Sequence, residues 1–200
     1  MRAASGLPRL SSDERGDLLR QARAGLEARL RGRRWAPHAR TAAMTAPAAT
    51  FVTLRRPGGE RRCCCGETTP RRSLVESVCE MAVASALSDP RFPPVVPAEV
   101  VALRIEITVL SAMQPIDARE VEVGRHGLLV TRDDRRGLLL PQVAPEQGWD
   151  RDELLAAVCR KAELPETAWR EPATRLLGFE AVSWGEELPP SAGAGERRYT

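Results

Sequence analysis

Aromatic side chains are scarce in these 200 residues: four Trp, three Phe and one Tyr. A core built from this chain must be aliphatic, and there is no aromatic stripe of the kind that stacks single-stranded nucleic acid. Lysine is rarer still. Lys161 stands alone, so basic charge is almost wholly guanidinium. No apolar run approaches the roughly 20 residues of a membrane span, and the opening Met1-Arg-Ala-Ala-Ser-Gly6 leads into no apolar signal stretch. These absences predict a cytoplasmic protein with no membrane contact, whose five cysteines are reduced thiols. Gly-x-Ser-x-Gly, Walker, His-Glu-x-x-His and paired-carboxylate motifs are also missing. Hydrolase and nucleotidyl readings therefore lack motif support. Cys63, Cys64 and Cys65 are adjacent, which is not the Cys-x-x-Cys spacing that lets two thiolates converge on one zinc. Neither a metal nor a cofactor is expected.

The chain is long enough to bury roughly 70% of its unfolded surface without a disulfide or metal staple. Its charge is uneven. Residues 1–72 carry 16 arginines against 6 acids, whereas residues 73–200 have a net charge of −7. A basic N-terminal part can attract phosphates. The alternative is a set of solvated arginines on a helix and loop.

Local patterning predicts the elements. Ser11 and Glu14 form a capping box, and Leu18, Leu19, Ala22, Leu26 and Leu30 follow at helical spacing, which predicts a helix over 12–31. Residues 32–49 read as a loop. Phe51–Leu54 and 60–65 read as a hairpin around Pro57-Gly58-Gly59. Ser73 and Glu76 cap a second helix that ends at Asp89-Pro90. Leu103, Ile105, Ile107 and Val109 alternate with polar residues and predict a half-buried strand. Residues 127–131 and 137–141 read as a hairpin around 132–136, Asp150 and Glu153 cap a third helix, and Thr174–Trp184 reads as one final strand. The pattern predicts an α+β fold, mainly antiparallel sheet with flanking helices. Residues 1–11 are expected to be a disordered N-terminus, 12–185 the domain, and 186–200 a disordered tail.

The string Arg61-Arg-Cys-Cys64-Cys-Gly66 resembles the Leu-Arg-Gly-Cys-Ile-Gly signature of the AMMECR family, the AmmeMemoRadiSam system protein A of bacteria and archaea. Asp89-Pro-Arg-Phe-Pro-Pro94, Val123-Gly-Arg-His-Gly127, Gly137-Leu-Leu-Leu-Pro-Gln-Val143, Glu146-Gln-Gly-Trp-Asp150 and Cys159-Arg-Lys161 resemble its later blocks, in the same order. Arg61, Cys63 and Cys65 depart from the signature. If the glycine replaced by Cys63 has positive φ, its Cβ would be strained there. The resemblance implies two subdomains sharing a cleft near the signature. It also implies Memo-like and radical SAM partners, with RNA as a candidate substrate.

Within this frame Cys64 is the candidate nucleophile. Strand alternation puts it on one face with Arg62, and the helix that begins near Ser73 would lend its N-terminus to the thiolate. His126 is a candidate base if the fold brings it near; between Gly124 and Gly127 it reads equally as a turn residue. Arg62, Gly66, Asp89, Arg91, Phe92, Pro141 and Gln142 are the candidate cleft residues. Arg91 either receives an anion beside Arg62 or pairs with Asp89. Three functions stay open: an accessory or substrate-handling component of a radical SAM system, a thiolate enzyme at Cys64, and a non-catalytic peptide or nucleic-acid interaction domain.

Overall fold

The computed structural model describes residues 6–186; the residues before and after, including most of the expected disordered tail, lie outside it. The chain divides into two compact units, as the resemblance implies. One comprises residues 10–108 with 183–186, and the other 109–182 with the described residues before Leu10.

In the first unit, helix α1 (Ser12–Leu30) starts at the Ser11–Glu14 capping box read from the sequence. Leu10, just before it, is buried. A single helical turn, α2 (Ala42–Thr45), interrupts the expected loop and buries Met44. Strands β1 (Ala49–Arg55) and β2 (Arg61–Gly66) form the antiparallel hairpin, with a register irregularity between Leu54 and Arg55. Helix α3 (Leu74–Ser88) begins at the Ser73–Glu76 box, and its C-cap is Asp89. A short turn of helix, α4 (Pro97–Val100), leads into β3 (Arg104–Leu110). Together with β8 (Ala181–Gly185) these strands make a sheet of order β2-β1-β3-β8. Ile105, Ile107 and Val109 are buried as alternation predicts, but Thr108 and Leu110 are buried too, so β3 ends with both faces covered. Val52, Leu54, Leu74, Val78, Leu18 and Leu26 fill an aliphatic core. Arg23 of α1 donates to the carbonyls of Val100 and Leu103 and pairs with Glu186, whose carboxylate also accepts the Ile105 N–H.

The second unit carries β4 (Gln114–Pro115), β5 (Gly127–Arg132), β6 (Arg135–Leu139), helices α5 (Val143–Gln147) and α6 (Arg151–Lys161), and β7 (Arg175–Phe179), with sheet order β4-β7-β5-β6. All its described pairings are antiparallel. The hairpin turn is tighter than expected: only Asp133 and Asp134 lie outside the strands, and Asp133 takes a left-handed φ of 53°. Helix α6 is capped by Asp150 and Glu153, and Leu154, Leu155, Val158 and Cys159 pack with Leu128, Val130 and Leu139.

The predicted strand over 174–184 is two strands belonging to different sheets. The break falls at Glu180, whose N–H donates to the Ser111 hydroxyl and whose carbonyl accepts the Ser111 N–H. Alternation alone cannot show this change of sheet, because both halves keep extended backbone. No helix of the described residues is long and apolar enough to cross a membrane.

Candidate functional site

Strand β2 is an edge strand, and unpaired edges invite foreign pairing. The segment that leaves α3 covers it. The Cys64 N–H donates to Asp89 Oδ2 at 2.8 Å, and the Arg91 guanidinium donates to the Cys64 carbonyl at 3.0 Å. Further along, Arg62 Nη2 donates to the Pro93 carbonyl at 2.9 Å. On the helix side the Cys65 N–H donates to Ser85 Oγ, which donates in turn to the buried Val52 carbonyl. Asp89 and Ser85 thus take up two consecutive backbone donors of the signature.

Asp89 is the hub. Its buried carboxylate accepts from the Arg91 side chain and backbone as well as from Cys64. The Arg91 hydrogen bonds first, then the two backbone donors, hold the Asp89 carboxyl down at about 2. Arg62 is 3% exposed and pairs with Glu99 at 3.3 Å, while its Nη1 is buried with no acceptor. Arg62 and Arg91 both stand over the Phe92 ring, at 5.9 and 5.7 Å from its centroid. Of the two readings of Arg91, pairing with Asp89 is the one observed, and Glu99 likewise answers the charge of Arg62.

Cys64 is half-buried, and its sulfur accepts a hydrogen bond from Thr53 Oγ1, the residue opposite it on β1. The expected helix N-terminus is not beside it. Chain 67–73 carries the path past the end of β2 before α3 runs back, so the last turn and C-cap of α3 meet Cys64 and Cys65. That end of a helix dipole is negative and does not favour a thiolate. Burial pushes the Cys63 thiol up to about 12 and the Cys65 thiol up as well. Cys63 has no positive φ, so the strain anticipated for a side chain there is absent; it is an ordinary strand residue filling the core.

Gly66 serves packing. It pairs with Phe51, and a Cβ on Gly66 would sit 2.2 Å from the Phe51 ring. Sequence reasoning missed Thr53, Ser85 and Glu99. Thr53 could have been found from hairpin register, whereas Ser85 and Glu99 depend on tertiary placement.

His126, Pro141 and Gln142 belong to the other unit. His126 Nδ1 accepts the Glu122 N–H at 3.0 Å and the His126 backbone N–H donates to the Glu122 carbonyl, which closes the turn before β5. It also lines a cavity of about 280 Å³ with Ser111, Ile116 and Phe179. Pro141 is buried; Gln142 precedes α5, and its carbonyl accepts the Glu146 N–H. Among the described residues no cluster of three His, Cys, Asp or Glu side chains could hold a metal, and all five cysteines are free.

A helix-flanked antiparallel hairpin whose signature edge is tied to the next block defines an α+β domain of two units. The family is shown by comparison: residues 19–184 match the AMMECR1 family model, and the chain belongs to that family. It is similar to a protein of Methanothermobacter thermautotrophicus, 37% identical over 187 residues, covering 89% of this chain and 97% of the relative. A protein of Thermococcus gammatolerans is 43% identical over 149 residues, covering 70% and 73% of the two chains. The crystal structure of the uncharacterised protein PH0010 from Pyrococcus horikoshii superposes with a TM-score of 0.81 at 39% identity, covering 86% of this chain and 91% of that one.

Proposed function

We propose that this chain is a cytoplasmic, non-catalytic, substrate-handling component of a modification system, acting with Memo-like and radical SAM proteins on a macromolecule for which RNA is the candidate. The observation that carries this reading is the occupancy of the signature. Among the described residues of its unit no carboxylate or imidazole accepts a hydrogen bond from the Cys64 thiol, and the neighbouring Asp89 carboxylate is already engaged by the Cys64 N–H and Arg91. A nucleophilic cysteine needs a base positioned to take its proton, and the side-chain partner of the Cys64 sulfur is the Thr53 hydroxyl, with the C-terminal end of α3 beside the strand. Arg62 supports a binding role. Its buried Nη1 has no acceptor among the described residues, and a buried donor left unpaired costs about 1–3 kcal/mol, so an acceptor brought by a ligand would be favoured there. The test is a pull-down of the full chain with its Memo-like and radical SAM candidates, followed by mass spectrometry of co-purifying RNA or peptide. Co-purification that survives Cys64→Ser supports the reading. Loss of an intrinsic, thiol-dependent turnover in the same variant would replace it with the enzyme reading.

A further inference from the structure

The groove between α1 and α3 has no part in the signature. It encloses about 610 Å³, within the range of small-ligand sites. Val83, Ala84, Leu87 and Cys79 from α3 make an apolar wall, and Arg29, Arg33 and Trp35 face it from α1 and the loop that follows. Trp35 is 43% exposed in a chain with few aromatic residues.

Its ring is held in place. A Cβ on Gly25 would lie 3.1 Å from the indole, so the missing side chain lets the ring lie against α1. Cys79 of α3 lies beside the same point of α1, its Cβ 3.8 Å from where a Gly25 side chain would begin. Gly32, at φ 68°, lets the chain leave α1, and the Arg33 N–H donates to the Ala28 carbonyl. Buried Gln21 then clamps the loop downstream, donating to the His38 carbonyl and accepting the His38 N–H. A ring fixed in this way loses little freedom when a ligand stacks on it.

The charges are arranged to match. Arg29 and Arg33 have no ion-pair partner among the described residues, whereas Arg72 pairs with Glu67. Of the acids on the α3 wall, Glu76 is committed to the Ser73 capping box, which leaves Glu80 as an acceptor for a sugar hydroxyl or exocyclic amine. Two guanidiniums with no ion-pair partner among the described residues, beside an exposed indole, suit a ligand that joins a phosphate to a flat ring.

We infer that this groove binds a nucleotide, either free or within single-stranded RNA, by stacking its base on Trp35 and pairing its phosphate with Arg29 and Arg33. The inference names a ligand class for the substrate-handling reading but rests on different residues. Its test uses the full chain alone, so its failure would leave the pull-down result standing.

Fluorescence anisotropy with a labelled oligoribonucleotide of about 12 nucleotides, and calorimetry with adenosine monophosphate, distinguish the two sources. Trp35→Ala should weaken binding about tenfold, while Trp35→Phe, which keeps a stacking ring, stays within about threefold of the parent. Arg29→Gln with Arg33→Gln should flatten the dependence of log affinity on log salt by about one unit. Binding of the oligonucleotide alone assigns an RNA segment, and equal Trp35 dependence with the mononucleotide assigns a free nucleotide. Absence of binding to both at low salt overturns the inference. So does binding that ignores Trp35 in variants with unchanged thermal melts, or displacement of RNA by an acidic peptide that binds the groove more tightly.

Discussion

The outer edge of β2 and the groove between α1 and α3 are built on opposite plans. At the edge, Asp89 pairs with Arg91 and Glu99 with Arg62, and Asp89 and Arg91 also bind the Cys64 backbone, so these charges are spent on holding the strand in place. In the groove, Arg29 and Arg33 have no ion-pair partner among the described residues and stand beside a half-exposed indole that lies against α1. The difference teaches that a signature motif marks where a fold is tied together as readily as where it acts. Polar residues at the edge are expensive to remove, and polar residues in the groove are cheap to remove but costly to binding.

The largest effect that would test this contrast is in stability. Asp89→Ala removes the acceptor of a strand N–H and the partner of Arg91, and should cost about 2–3 kcal/mol in urea unfolding. A loss below about 1 kcal/mol would show that the edge is not held by this carboxylate.

Acid should expose the same hub. The Asp89 carboxyl stands at about 2 in the fold against an ordinary value of 3.8, because of Arg91 and the backbone donors. A depressed carboxyl contributes stability above its unfolded value and loses it as pH falls through the folded one. Stability should therefore drop between about pH 4 and pH 2, by on the order of 1–2 kcal/mol once the half-exposure of Arg91 is allowed for. Asp89→Asn should flatten that part of the pH profile; an unchanged slope would contradict the assignment.

Much of this frame was legible in the sequence. The boxes at Ser11, Ser73 and Asp150 start helices because both partners lie within one turn, and β3 follows from strict alternation of Ile105, Ile107 and Val109. What was hidden depends on distance along the chain. The change of sheet at Glu180 rests on Ser111, 69 positions away, and the reversal that brings the C-cap of α3 to Cys64 depends on where residues 67–73 lead. At the candidate site, the Asp89–Arg91 pair was one of two readings of adjacent charges, and the structure decides between them. Trp35 was not legible because a lone indole in a loop has no period; its placement depends on Gly25 and on the loop that Gln21 holds.

Thiol chemistry gives a smaller contrast. Cys64 is half-buried, whereas burial pushes Cys79 up to about 12 and raises Cys159 too. At pH 7 iodoacetamide should modify Cys64 at least about tenfold faster than either helix cysteine. Equal rates, read by mass spectrometry, would place Cys64 among the inert core thiols. The smallest effect belongs to the groove: Trp35→Ala should lower stability by only about 1 kcal/mol, because the ring is partly solvated and rests on a glycine. A loss as large as that of Asp89→Ala would make Trp35 a core residue and erase the contrast.

The most direct measurement sets the two regions against each other in one assay, titrating the labelled oligoribonucleotide into the parent, Cys64→Ser and Trp35→Ala chains at low salt. Cys64→Ser should bind as the parent does and Trp35→Ala about tenfold more weakly. Binding lost in Cys64→Ser and kept in Trp35→Ala, with both variants folded, would contradict this expectation.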